Sequence, residues 1–249
     1  MSRDAVRDNA EPHLSVSQAK QCLAKTAFER IAGLREAPSA AMEFGSYIHA
    51  LAECYYLGRP APAESDLNAR EKARALALIY EYISQIGAQI RRTDSLLVEH
   101  RFELRTWTRR PIFGYIDLAY ALAMGQTRVA DIKTKGTPPT AVRDDERLQL
   151  ATYVAALDIP RPARAELHVL VTAEDPEVYM LDALIEESDV AAARERFQEL
   201  DAAYESRRFR PEPSYQCRYC LAFAECREGE TFSGDIDAWM AKRKKEGAA

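Results

Sequence analysis

The chain has 249 residues, 47 % hydrophobic and 29 % charged, with a formal net charge of −5. That length supports one sizeable core or two small ones, and the composition is that of an ordinary globular protein. The negative balance argues against a protein that coats nucleic acid by bulk charge, although clustered metal-binding carboxylates would lower the charge of an enzyme acting on DNA in the same way.

No apolar run is long enough to cross a bilayer. The polar stretch 1–13 carries no apolar signal region and reads as a flexible arm, so a cytoplasmic protein with no membrane partner is expected. A helix is expected over 15–32, started by Ser15 and Gln18 at capping-box spacing and stopped by Gly33, with Cys22 inside it. A second helix covers 42–57 and ends at Gly58-Arg59-Pro60. On it Gly45, His49 and Glu53 share a face at four-residue intervals. A linker rich in Pro and Ala, 59–66, leads to a long helical stretch over 67–91, where Leu76, Ile79, Ile83 and Ile86 recur at three-to-four spacing.

The period then changes to two. Strands are expected over 97–104, 112–122 and 128–134, the first two separated by a turn at Arg109-Arg110-Pro111. A helix over 144–157, strands over 165–172 and 178–183, and a long helix over 186–207 follow. A cysteine-rich segment after Pro211 and Pro213 and a short helix near 235–245 complete the chain. This order predicts an α/β fold with a central mixed sheet flanked by helices. The division expected is the arm, a single domain over 14–230 with a helical insertion at about 59–94, and a C-terminal helix and tail over 231–249. The basic pairs Arg91-Arg92, Arg109-Arg110 and Arg207-Arg208 read as solvated surface.

The most informative segment is Gly114-Tyr115-Ile116-Asp117 followed by Asp131-Ile132-Lys133-Thr134. Alternate strand residues share a face, so Asp131 and Lys133 project together with Ile132 buried behind them. A three-residue turn at Ala123 to Gly125 pairs Leu122 with Gln126, and counting back sets Asp117 opposite Asp131. Directly paired residues have Cβ atoms about 4.5–5.5 Å apart. Two carboxylates that close repel unless a cation lies between them, and a divalent ion such as Mg²⁺ or Mn²⁺ can take both. Such an ion polarises a phosphodiester and acidifies bound water, while Lys133 orients that water or offsets transition-state charge. An exposed hairpin with an ordinary salt bridge is the plain alternative.

Gly45-x3-His49, Glu99, Gly114-x-Ile116-Asp117, Asp131-Ile132-Lys133-Thr134 and Gln149-x3-Tyr153 occur in that order. The set resembles the RecB-like branch of the PD-(D/E)XK nuclease superfamily, most closely its iron–sulfur exonucleases of CRISPR adaptation modules and bacteriophages. The resemblance runs from about Leu14 to Cys226 and implies a restriction-endonuclease-like core. It implies metal ligation by His49, Asp117, Asp131 and the Ile132 carbonyl, with Glu99 close by. Lys133 would be catalytic, and Gln149 and Tyr153 would position DNA or the active-site residues. The superfamily's proline is absent before Asp117, as in much of this branch.

There are five cysteines, and in a chain without a secretion signal a disulfide framework is not expected. Cys217-x2-Cys220-x5-Cys226 gathers three thiols, and Cys22 makes a fourth. Spacing alone fits either a [4Fe–4S] cluster or Zn²⁺. The resemblance implies the cluster, joining the N- and C-terminal segments, with Leu23 where the family usually has proline. Cys54 reads as a small core residue.

The function implied is a metal-dependent DNA nuclease, acting on single strands from free ends, in recombination, repair or phage DNA metabolism. One alternative is a CRISPR-adaptation nuclease that trims spacer precursors with partner proteins. Another is a non-catalytic DNA-binding or zinc-stabilised scaffold protein.

Overall fold

The computed structural model describes residues 13–34, 37–63, 65–122, 125–173 and 175–247. The expected arm therefore lies outside the described residues except for His13. The chain divides into two compact units that interleave along the sequence. One comprises 1–37, 103–114 and 194–249, the other 38–102 and 115–193. Among the described residues no helix is long and apolar enough to cross a membrane.

The six strands are β1 (Leu14–Ser15), β2 (Leu97–Leu104), β3 (Ile112–Ala121), β4 (Thr127–Lys135), β5 (Ala163–Val171) and β6 (Glu177–Ile185). They form one mixed sheet in the order β1-β3-β4-β5-β6, with β2 also paired to β3. β3–β4 and β5–β6 are antiparallel; β4–β5 is parallel. A parallel pair needs a crossover, which α5 (Asp144–Ala156) supplies. β5 is buried almost throughout, as a strand covered on both faces must be, whereas β6 carries many exposed residues.

In the larger unit, α3 (Ala40–Leu57) starts where the Ser39 hydroxyl accepts from Met42 N and stops at Gly58, whose φ of 64° is left-handed. α4 (Ala69–Gln85) starts with an Asn68–Glu71 capping box. The expected helix over 67–91 is thus shorter, and a 3₁₀ turn at Gly87–Gln89 follows it. The apolar faces of α3 and α4 cover Leu118, Tyr120, Ala130, Ile132 and Leu170 of the sheet. Each of the large aliphatic side chains among them contributes on the order of 1.5–3 kcal/mol. Ile132 pairs with His168 and lies on that face, while Asp131 and Lys133 pair with Leu167 and Val169 and lie on the other. A buried polar chain runs through the same core: Tyr56 to Tyr82, Tyr82 to His168, and His168 to Glu166, which also takes Tyr120 and Arg128.

In the smaller unit the sequence expectation needs correction. Ser15 and Gln18 form the predicted capping box, but the expected single helix over 15–32 is two. These are α1 (Val16–Ala19) and α2 (Leu23–Arg30), and Cys22 occupies the break as the extended residue before α2. The cause is tertiary. Arg196, on the long helix α6 (Glu187–Ser206), takes the carbonyls of Ala19 and Gln21. The Glu212 carboxylate accepts from Leu23 N at 3.0 Å. Both displace bonds a continuous helix would make. Phe28 packs against Phe232 and Trp239. The unit also contains a 3₁₀ turn at Tyr215–Tyr219, the short α7 (Phe223–Cys226) and α8 (Ile236–Gly247).

Candidate active site

The β3–β4 hairpin pairs Ala121 with Thr127, and then each next residue in step to Leu118 with Ala130. Leu122 N donates to Gln126 O, and Gly125 has a φ of 74°, as the turn requires. Turn residues Ala123 and Met124 lie outside the described residues. One rung beyond Leu118, the regular ladder gives way. The Ile132 N–H donates to Asp117 Oδ2 at 2.8 Å. A carboxylate thereby does the work of a main-chain acceptor and is held at the point where the two strands stop pairing.

Two side chains from elsewhere in the same unit meet Asp117. His49 Nδ1 lies 3.6 Å from Asp117 Oδ1 and 3.3 Å from Glu99 Oε1. His49, Glu99 and Asp117 offer ligand atoms all within 4.8 Å of one another. Glu99 reaches the site because its φ of 46° breaks the extended course of β2. A left-handed non-glycine costs on the order of 1–3 kcal/mol and marks functional positions.

Asp131 is not one of that trio. Its Oδ1 accepts from Lys133 Nζ and from Gln149 Nε2, each at 2.7 Å. Lys133 Nζ also lies 2.6 Å from Oδ2, but not in hydrogen-bonding geometry, and Oδ2 is buried without a donor. Gln149 Nε2 is 2.6 Å from the Tyr153 hydroxyl, one turn along α5. Ile132 has a buried side chain and its N–H on Asp117. The structure therefore brings His49, Glu99, Asp117, Asp131, Ile132, Lys133, Gln149 and Tyr153 into one constellation.

The electrostatics suit a cation. Burial pushes the Asp117 carboxyl up to about 7; His49 opposes this and Asp131 adds to it. Burial alone would lower His49, but Asp117 and Glu99 outweigh it and the net shift is upward. Burial opposes the charge on Lys133, yet Asp131 and Asp117 hold its pKa above the usual value. The cluster carries more negative oxygen than its own two bases neutralise, and an orphaned carboxylate oxygen lies inside it.

Lys135 and Glu146 escaped the sequence reading, whereas Gly45 did not. Lys135 continues the face of Asp131 and Lys133, and it pairs at 2.7 Å with buried Glu146, which also accepts from Arg143 N at the start of α5. Strand alternation was the signal for Lys135. Gly45, one turn before His49, lets α3 approach β4: a Cβ there would lie 3.1 Å from Thr134 Oγ1. Gly45→Ala gains about 1 kcal/mol in helix propensity but overpacks a contact, at a cost of about 1–3 kcal/mol. A net loss of about 1 kcal/mol in thermal unfolding is expected, recovered by adding Thr134→Ala. A single variant more stable than the parent would refute the contact's importance.

The four cysteines form a second site, within the smaller unit. Cys22, Cys217, Cys220 and Cys226 line one cavity of about 390 Å³. Each sulfur accepts a main-chain amide: Glu212 N to Cys22 and Ser214 N to Cys217, both at 3.3 Å, Ala222 to Cys220 and Gly229 to Cys226. Burial raises the Cys220 and Cys226 thiols. Among the described residues no three cysteine sulfurs come within 4.8 Å of one another. Cys54 lies apart, on α3.

A family model described as the PD-(D/E)XK nuclease superfamily matches residues 13–227. No curated protein matches the chain. Among solved structures, SSO0001 is 13 % identical with a TM-score of 0.50, over 91 % of this chain and 90 % of that one. A Eubacterium rectale protein named as a candidate exonuclease is 13 % identical with a TM-score of 0.53, over 78 % of this chain and 79 % of that one. At that identity both likenesses are statements of fold.

Proposed function

Because the chain belongs to the PD-(D/E)XK nuclease superfamily, we propose that it is a metal-dependent deoxyribonuclease that degrades single-stranded DNA from free ends. The observation that carries the metal-dependent hydrolysis is the meeting of half-buried His49 and Glu99 with buried Asp117, beside Asp131 and Lys133. The preference for single strands and ends extends the resemblance read from the ordered motifs; the name of the Eubacterium rectale protein, an exonuclease, agrees with the action from ends alone.

His49, Glu99, Asp117 and Asp131, with the Ile132 carbonyl, would hold Mg²⁺ or Mn²⁺. The Asp131 oxygen that has no hydrogen-bond donor and the raised Asp117 pKa support that donor set. A bound divalent ion supplies Lewis-acid polarisation of the phosphate and an acidified water. The protein's own groups do the rest. Lys133 stays charged and offsets negative charge where the water oxygen bonds to phosphorus and the ester oxygen leaves. Gln149 holds Asp131 against rotation, and Tyr153 holds Gln149.

For the cysteines we propose a structural [4Fe–4S] cluster. Four thiols around one cavity, each with an amide on its sulfur, fit such a group.

The deciding assay incubates anaerobically purified protein with end-labelled linear and with circular single-stranded DNA, with Mg²⁺ or Mn²⁺ and with an EDTA control. Loss of linear DNA alone, blocked by EDTA, is expected. Cutting of circles would overturn the end dependence. No cutting by iron-replete protein would favour a binding or scaffold role.

A further inference from the structure

We infer that Arg196 and Glu212 are positioning residues for Cys22, holding this thiol at the cavity before any cluster is bound. The inference rests on reading the four cysteines as cluster ligands.

Three of the thiols arrive together on residues 217–226, whereas Cys22 comes from far upstream. Bringing it back closes a loop of most of the chain, at an entropic cost that something other than the cluster must meet if the site is to be preformed. Cys22 also sits where the chain leaves helical geometry, with φ −55° and ψ 134°. Without external bonds this break would anneal into the helix its local sequence favours.

Arg196 supplies those bonds. A guanidinium has five N–H donors in a fixed fork, and five hydrogen bonds form here. Nε donates to Ala19 O and Nη2 to Gln21 O, at 2.9 and 2.8 Å. Nη1 and Nη2 grip the two Glu212 oxygens at 2.7 and 2.8 Å, and Nη1 also reaches Glu199 at 3.0 Å. The last main-chain carbonyl before Cys22 and one at the end of α1 are thus pinned to a single planar group.

Glu212 completes the cradle from the other side. Its carboxylate takes Leu23 N, the amide that follows Cys22, at 3.0 Å. Its own N–H goes to Cys22 Sγ at 3.3 Å. In the triplet Pro211-Glu212-Pro213 this is the only main-chain N–H, since proline has none, and the flanking rings restrict the backbone that aims it. Carbonyl before, amide after and sulfur between are therefore all fixed by one ion pair.

The test uses the full chain purified without oxygen, as wild type, Glu212→Gln, Arg196→Lys and the control Glu205→Gln. Glu205 lies exposed further along α6, where it pairs with Arg109. The readouts are iron and sulfide per chain, the rate of iron release to a ferrous chelator, and the EPR signal after mild ferricyanide oxidation. Wild type and Glu205→Gln are expected to hold about four irons. Glu212→Gln and Arg196→Lys are expected to release iron roughly tenfold faster, the usual scale for losing an outer partner of a metal ligand. They are also expected to accumulate a three-iron signal as the loosened corner is lost. Glu212→Gln keeps an acceptor for Leu23 N, and thermal unfolding confirms that it is folded. Iron-replete wild type with variants identical to it in release and EPR would overturn the positioning role. Wild type that holds zinc or no iron would overturn the cluster reading itself.

Discussion

Lys133→Ala is expected to lower metal-dependent DNA cleavage by on the order of 10²–10³-fold, the scale of losing one preorganised electrostatic contact to a transition state. Two effects combine. The first is removal of a cation whose pKa its surroundings hold up, and which on the proposed reading would meet a phosphate charged. The second is loss of the ammonium that balances the buried Asp131 carboxylate, leaving it with the neutral donor Gln149. Titrating Mn²⁺ separates them. If the first dominates, saturating metal leaves kcat low and the metal dissociation constant within a few-fold of wild type. Lys133→Met, similar in length and uncharged, is expected to behave like alanine, and Lys133→Arg to keep part of the rate. Full activity of Lys133→Ala at saturating Mn²⁺ would remove Lys133 from the chemistry.

Glu166→Ala is expected to destabilise the fold by about 3–5 kcal/mol, the range for breaking a buried charged pair. Glu166 and His168 are fully buried, and the carboxylate receives His168 Nε2 at 2.9 Å together with the Tyr120 hydroxyl and the Arg128 guanidinium. A consistent proton arrangement gives Nε2–H to Glu166, leaving Nδ1 to accept from Tyr82 at 3.1 Å, and Tyr82 to accept from Tyr56 at 2.8 Å. Burial alone would raise the Glu166 pKa, but His168, Tyr120 and Arg128 outweigh it and hold the carboxyl at about 2, below its usual 4.5.

A carboxyl depressed by folding contributes stability that is complete above its unfolded pKa and is lost as pH falls through the folded one. Wild-type stability is therefore expected to drop between about pH 5 and pH 2 by on the order of 3 kcal/mol from this group. Glu166→Gln should show a shallower fall over that window. Parallel pH–stability curves for the two proteins, from urea unfolding, would mean that Glu166 is not the group responsible.

The sequence by itself determined what local periodicity controls. Alternation along a strand put Asp131 and Lys133 on one face, and a glycine turn set the hairpin register, because both depend on neighbours a few residues apart. Capping residues likewise marked the true starts at Ser15 and the stop at Gly58. The spacing of Cys217, Cys220 and Cys226 was legible for the same reason.

Tertiary structure decided what depends on partners distant in sequence. The predicted helix over 15–32 breaks at Cys22 because Arg196 and Glu212 outbid its local hydrogen bonds. Glu99, which an ordinary strand would turn toward solvent, reaches His49 through a left-handed backbone that no propensity foretells. Asp117 and Asp131 both follow the last regular rung, Leu118 with Ala130. Yet one joins His49 and Glu99 and the other joins Lys133 and Gln149, because α3, β2 and α5 converge on the hairpin with different donors. Pairing register is a property of two neighbouring segments, whereas the partners of a buried carboxylate are set by every element that packs around it.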